Sequence, residues 1–229
     1  MRIWHYDIAF LICSYVSLSA QAAVPLASQY VECVRDEKAL DVGSRTVQTP
    51  IFVSKAGSRA FGKVLAKAER GCENTSTIYV SQHHRPFRVA FQQKTEVESD
   101  GTTLDGNGVK ALLWSPSGAH LLVEISQWVW GSDAGTTTKY LLYRGAKPVK
   151  VVKPLDAVWN VFNKPCSALV DSVGWIDDSR IELTGKPFVS TDEDGIPDKT
   201  PPCLKKPMRF SFDVETGKLE QLRTRRKNN

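Results

Sequence analysis

Short apolar runs recur along the chain after residue 45, each rich in Val, Ile, Leu or aromatic residues and each ended by Gly, Pro, Asn, Asp or Ser. That punctuation predicts β-strands joined by turns, and no sustained helical period interrupts it. The runs also repeat. Ile51-Phe52-Val53-Ser54-Lys55-Ala56-Gly57-Ser58, Leu112-Leu113-Trp114-Ser115-Pro116-Ser117-Gly118-Ala119 and Val173-Gly174-Trp175-Ile176-Asp177-Asp178-Ser179-Arg180 each join a short apolar strand to a tight turn. Val53, Trp114 and Trp175 stand 61 residues apart (114−53 and 175−114). A second apolar run follows each turn, over residues 60–66, 121–129 and 181–189.

The second halves match as well. Ile78–Ser81 with Pro86–Val89 precedes Tyr140–Tyr143 with Pro148–Val151 by 62 residues (140−78 and 148−86). A third copy, Arg209–Asp213 with Glu215–Leu219, comes late because of an insertion. A fixed period of this length marks stacked supersecondary units. The copies span about 47–93, 109–153 and 170–222 within a repeat domain of residues 23–222, each reading as four antiparallel strands.

These residues resemble a known family. Trp114-Ser115-Pro116-Ser117-Gly118, an apolar strand, Tyr140-Leu141-Leu142-Tyr143 and a closing turn and strand look like one blade of a TolB-type, WD40-like β-propeller. Trp175–Asp178, completed by Phe212-Asp213-Val214-Glu215-Thr216-Gly217-Lys218, is similar. The resemblance covers residues 47–222 and is weakest in the first copy, which lacks the Trp and the Pro. It implies an all-β chain of three four-stranded antiparallel blades, an incomplete or small propeller, because closed rings commonly have four to eight. An extra unit from residues 24–46, an open arc capped by loops, and closure by self-association are the alternatives.

In such blades the longer loops and the connections between copies share one face, where binding surfaces concentrate. The cysteines follow that arrangement. Cys33 precedes copy one and Cys72 lies in its central loop; Cys166 precedes copy three and Cys203 lies in its central loop. The expected disulfides are therefore Cys33–Cys72 and Cys166–Cys203, although four cysteines taken alone allow three pairings.

Compartment and charge narrow the function. Arg2, an apolar stretch from Ile8 to Leu18 and Ser19-Ala20-Gln21-Ala22-Ala23 read as a signal peptide over residues 1–22, too short to span a bilayer. A periplasmic or secreted location follows, which suits paired cysteines. The net charge of +5 owes four charges to Arg223, Arg225, Arg226 and Lys227 in a basic tail, residues 223–229. A solvated tail of this kind does not make a nucleic-acid interface, which needs cations spread over one face.

Candidate chemistry is sparse. Ser190-Thr191-Asp192-Glu193-Asp194-Gly195-Ile196-Pro197-Asp198 looks like the Asp-rich calcium loops of thrombospondin type 3 repeats, with Asp192, Asp194 and Asp198 as ligands; a plain acidic turn is the alternative. Trp128, Trp130, Trp159 and Phe162 are candidates for an aromatic platform that takes a sugar, a peptide or a protein, set against packing between neighbouring units. No G-x-S-x-G elbow occurs, and His83-His84 sits at a predicted turn without a third ligand or an orienting acid. Asn74-Thr75-Ser76 is a glycosylation sequon. The expectation is an exported, non-catalytic binding or scaffold protein with a protein or glycan partner. A carbohydrate- or cell-envelope-binding module, or a carboxylate-based glycoside-acting enzyme, are the alternatives.

Overall fold

The computed structural model describes residues 45–67, 73–82, 85–129, 137–162, 166–189 and 200–222. The first sheet holds β1 (Arg45–Gln48), β2 (Phe52–Val53), β3 (Arg59–Lys67), β4 (Glu73–Ser81) and β5 (Arg88–Gln93). β1 and β2 pair with successive stretches of the same edge of β3, at Lys63–Ala66 and Arg59–Ala60. They act as one strand interrupted at Thr49-Pro50-Ile51, where a proline cannot donate to the ladder.

A small hairpin, β6 (Glu96–Val97) with β7 (Thr103–Leu104), precedes the middle sheet. That sheet runs β8 (Gly106–Trp114), β9 (Leu121–Trp128), β10 (Thr137–Arg144) and β11 (Lys147–Val152). Helix α1 (Pro154–Phe162) leads to the last sheet: β12 (Ala168–Trp175), β13 (Arg180–Pro187), β14 (Met208–Asp213) and β15 (Leu219–Gln221). The chain is thus all-β, with four antiparallel sheets and one short helix, and each large sheet pairs its strands in sequence order. No closed barrel or propeller ring forms among the described residues.

Two apolar cores hold the large sheets together. Ala60, Val64, Ile78 and Val80 of the first sheet meet Val109, Leu121, Val123, Ile125 and Leu141 of the middle one. Leu122, Tyr140 and Leu142, on the other side of the middle sheet, meet Ile181, Leu183, Phe210 and Phe212 of the last. Successive side chains of a strand point to opposite faces, so β9 supplies Leu121, Val123 and Ile125 to one core and Leu122 to the other. Every residue of β9 is buried. This explains why apolar residues stand at both alternating sets of its positions, which an edge strand with one wet face would not show.

The repeat survives as equivalent contacts. The Trp114 indole N–H donates to Phe52 O at 3.2 Å, and the Trp175 indole N–H donates to Leu113 O at 2.8 Å, each across 62 residues. Ser117 donates through its N–H and its hydroxyl to Asp178 Oδ1 at 2.9 and 2.7 Å, across 61. Gly118, with φ of 73°, lies so close to the preceding turn that a Cβ there would stand 2.5 Å from Ser54 Oγ. Glycine is the residue that meets both demands.

One expectation needs correction. In the connection between the second and third copies, where no helical period was expected, residues 154–162 form a helix, so Trp159 and Phe162 belong to α1. Pro154 opens it with a preset φ, Asp156 sits in its first turn, Pro154 and Val158 are buried, and Ala157 and Phe162 pack against the second core. Nine residues are too few for a helical period to stand out from the surrounding strands.

Candidate binding surfaces

The β6–β7 hairpin, α1 and the C-terminal ends of β9 and β13 lie at the end of the sheets where β3 stops and β4 starts. Polar contacts fix the parts of this end that are described. Glu96 Oε2 accepts from Lys139 Nζ at 2.6 Å, from Gln127 Nε2 at 3.0 Å and from Gln93 Nε2 at 3.1 Å. The Lys139 hydrogen bond, followed by that of Gln127, holds the Glu96 carboxyl below the usual range. The hairpin is therefore pinned to the ends of β5, β9 and β10. On the far side Cys166 and Cys203 form a disulfide, and Ser167 accepts from the Cys203 N–H and donates through its hydroxyl to Phe188 O.

Several large apolar side chains on these braced segments face solvent. Trp159 and Val161 project from α1, Phe188 and Val189 follow β13, and Val97 tips the hairpin. Trp159 is 42% exposed, whereas Trp128 at the end of β9 is 8% exposed. The two do not share an open platform. Trp128 lies against Gly106, where an added Cβ would come within 2.1 Å of the indole nitrogen. Phe162 is half-buried and packs against the second core. Trp130, the calcium candidates Asp192, Asp194 and Asp198, both Cys33 and Cys72, His83-His84, the signal peptide and the basic tail lie outside the described residues.

Among the described residues the most buried acid is Glu124, on the side of β9 that faces the last sheet. Its carboxylate accepts from the Ser172 hydroxyl and has Lys110 Nζ at 3.6 Å. Lys110 also lies 3.9 Å from Asp171, which is paired with Lys186 at 3.0 Å. Burial pushes the Glu124 carboxyl above its ordinary value, against the pull of Ser172 and Lys110. Beside it, burial and then the Glu124 charge push the Tyr140 phenol far up, and its hydroxyl donates to Val170 O at 3.3 Å. Glu124 is 3% exposed, so its carboxylate joins two sheets, whereas Asp171 at the edge of the cluster is half exposed. Among the described residues no group of three or more His, Cys, Asp or Glu side chains converges to hold a metal ion. No described helix is long and apolar enough to cross a membrane.

Two features escaped the sequence reading. The sequon asparagine, Asn74, is fully buried; its amide donates to Asn107 O at 3.0 Å, and the Asn107 amide returns a bond to Asn74 O at 2.7 Å. The Asn74 side chain is therefore out of reach of solvent in the folded protein. The other feature is an aromatic cluster on the face of the first sheet turned away from the core. Phe61 stacks on Tyr79 at 4.7 Å and meets Phe87 edge-on at 4.9 Å, with the Arg59 guanidinium 5.0 Å from the Phe87 centroid. The alternation through Arg59–Ala66 carried that signal, since Phe61 and Leu65 fall on the face opposite Ala60 and Val64.

No protein-family model matches this chain, and a search of the curated proteins finds no match.

Proposed function

We propose that this chain is an exported, non-catalytic binding scaffold whose three large sheets are propeller-like blades in an open arc, and whose loop-bearing end holds a protein partner. The blade reading is supported by the repeated Trp-to-carbonyl bonds and by sheets that each pair their strands in sequence order. A location outside the cytoplasm is supported by the Cys166–Cys203 disulfide, since such bonds persist in oxidising compartments.

One observation carries the binding reading: exposed Trp159, Val161, Phe188 and Val189 stand on segments that a helix and a disulfide hold in place. Rigid, solvent-facing aromatics are the usual anchors of protein interfaces, and preorganised segments lose little entropy when they bind. A sugar platform receives less support, because only Trp159 of the Trp128–Trp159 pair is open.

The test is a comparison of the native chain with Trp159→Ala and Phe188→Ala in binding assays against extracytoplasmic proteins and a glycan array. The expected result is a protein ligand whose affinity falls about tenfold or more on Trp159→Ala, on the scale of an interface hot spot. A ligand retained equally by both variants would place the binding surface elsewhere, and a glycan ligand lost on Trp159→Ala would favour the carbohydrate reading.

A further inference from the structure

The two junctions between large sheets use the same strand positions. Leu121 pairs with Trp114 and Ile181 with Trp175, and Arg59 holds that place in the first sheet, paired with Val53. At each junction this residue of the later sheet shares a core with the neighbouring position of the earlier one: Leu121 with Ala60, and Ile181 with Leu122. In the last sheet that neighbouring position is Glu182, on the face turned away from the core. The outward faces of the stack thus carry Arg59 at one end and Glu182 at the other. Opposite charges stand where both junctions within the chain have apolar pairs.

The surroundings of the two residues match as well. Around Arg59, the first sheet shows Phe61, Tyr79 and Phe87 in contact with one another, and Val53 and Val89 are more than half exposed. Its charges there are Arg59 and Lys63, with Glu73 only at the loop-bearing end. On the last sheet Leu169, opposite Lys186, and Val173, at the β12 bulge, are nearly half exposed. Asp171, Glu182 and Glu220 outnumber Lys186 and Arg209 on that face. One face is basic and aromatic, and the other has acid in excess.

We propose that a second copy of this chain covers both faces: the last sheet of each copy packs on the first sheet of the other, with Glu182 opposite Arg59, and two three-sheet arcs close into one ring. This rests on the blade reading above and goes beyond it. A contact between two different patches either closes into a ring or runs on as a filament. Closure at two copies gives six sheets, within the range of known propeller rings. Two first sheets laid face to face would instead bring two basic surfaces together. Four strands of about six residues offer roughly 400 Å² per face, so the two junctions bury about 1,600 Å² in all, the size of a stable interface.

The experiment is sedimentation velocity of the full oxidised chain over a wide concentration range. The expected species has twice the mass of the chain. Glu182→Arg alone and Arg59→Glu alone are each expected to lose it, because both junctions then oppose like charges. An equimolar mixture of the two variants is expected to restore the doubled mass, since one junction keeps the native pair and the other carries the exchanged pair. A monomeric native chain, open-ended polymers, single variants that both stay dimeric, or a mixture that stays monomeric overturns the proposal. Leu169→Lys changes a side chain that is already solvent-facing in one copy, so it tests the contact without disturbing the core. It is expected to shift the dimer towards monomer, and an unchanged mass counts against the ring. Hydrogen exchange of the Trp114 and Trp175 indole N–H groups separates this proposal from the blade reading. A monomer that protects both overturns the ring and leaves the blades, and one that protects neither overturns both.

Discussion

Glu124 shows how one residue sets a pH dependence. Its carboxyl has a higher pKa when folded than the ordinary value of 4.5, mainly because it is buried. The folded state therefore holds this proton more tightly than the unfolded state does. Below that ordinary value both states are protonated and the contribution is complete; as pH rises through the folded pKa it is lost. Glu124→Gln removes the ionisation and leaves Lys110 beside Asp171. Urea midpoints measured from pH 4 to pH 8 are expected to fall with rising pH in the native chain relative to the variant, and parallel curves would refute this reading. Gly106 makes a steric case. Gly106→Ala drives a methyl group into the Trp128 ring, so a loss of about 1–3 kcal/mol, the scale of core overpacking, is expected from denaturant unfolding followed by tryptophan fluorescence.

At the scale of elements, the strands were legible and their interruptions were not. Alternation and turn residues locate β3, β4, β8, β9, β12 and β13, because burial imposes a period of two that the side chains must obey. The break between β1 and β2 and the insertion of β6–β7 depend on pairing partners that no local pattern reveals. Helix α1 is short, and its apolar stripe reads equally well as connection. The candidate site fared similarly: Trp159 was found, but burial of Trp128 follows from the absent Cβ of Gly106 on a neighbouring strand. The Cys166–Cys203 pairing was legible because Cys166 precedes the third copy and Cys203 lies in its central loop, which the blade resemblance puts on one face. Removing it as Cys166→Ser with Cys203→Ser frees a loop of 37 residues, and the chain-entropy model expects a loss of about 4 kcal/mol. Guanidinium titration of the two forms gives the value, and the same variant is expected to weaken any ligand that uses Phe188.

Over the whole molecule, the middle sheet is the keystone because both of its faces are core. Neither outer sheet can lose its partner without exposing half of one apolar cluster. Native-state hydrogen exchange is therefore expected to find the most protected amides in β9, with β15 and the β6–β7 hairpin opening first at much lower cost. Comparable protection in β15 and β9 would show that the sheets do not share stability in this way.

Apart from β1, which pairs with β3 beyond the short β2, every strand of a large sheet bonds only to chain neighbours, as far as β15. A polypeptide wired like this has few distant ends to bring together, and short loop closures are quick. Each meander is able to form once its own stretch of chain is free, and each gives the next a template on which to settle. A chain delivered gradually from its N-terminus can thus assemble in the order in which it arrives, without waiting for its last residue.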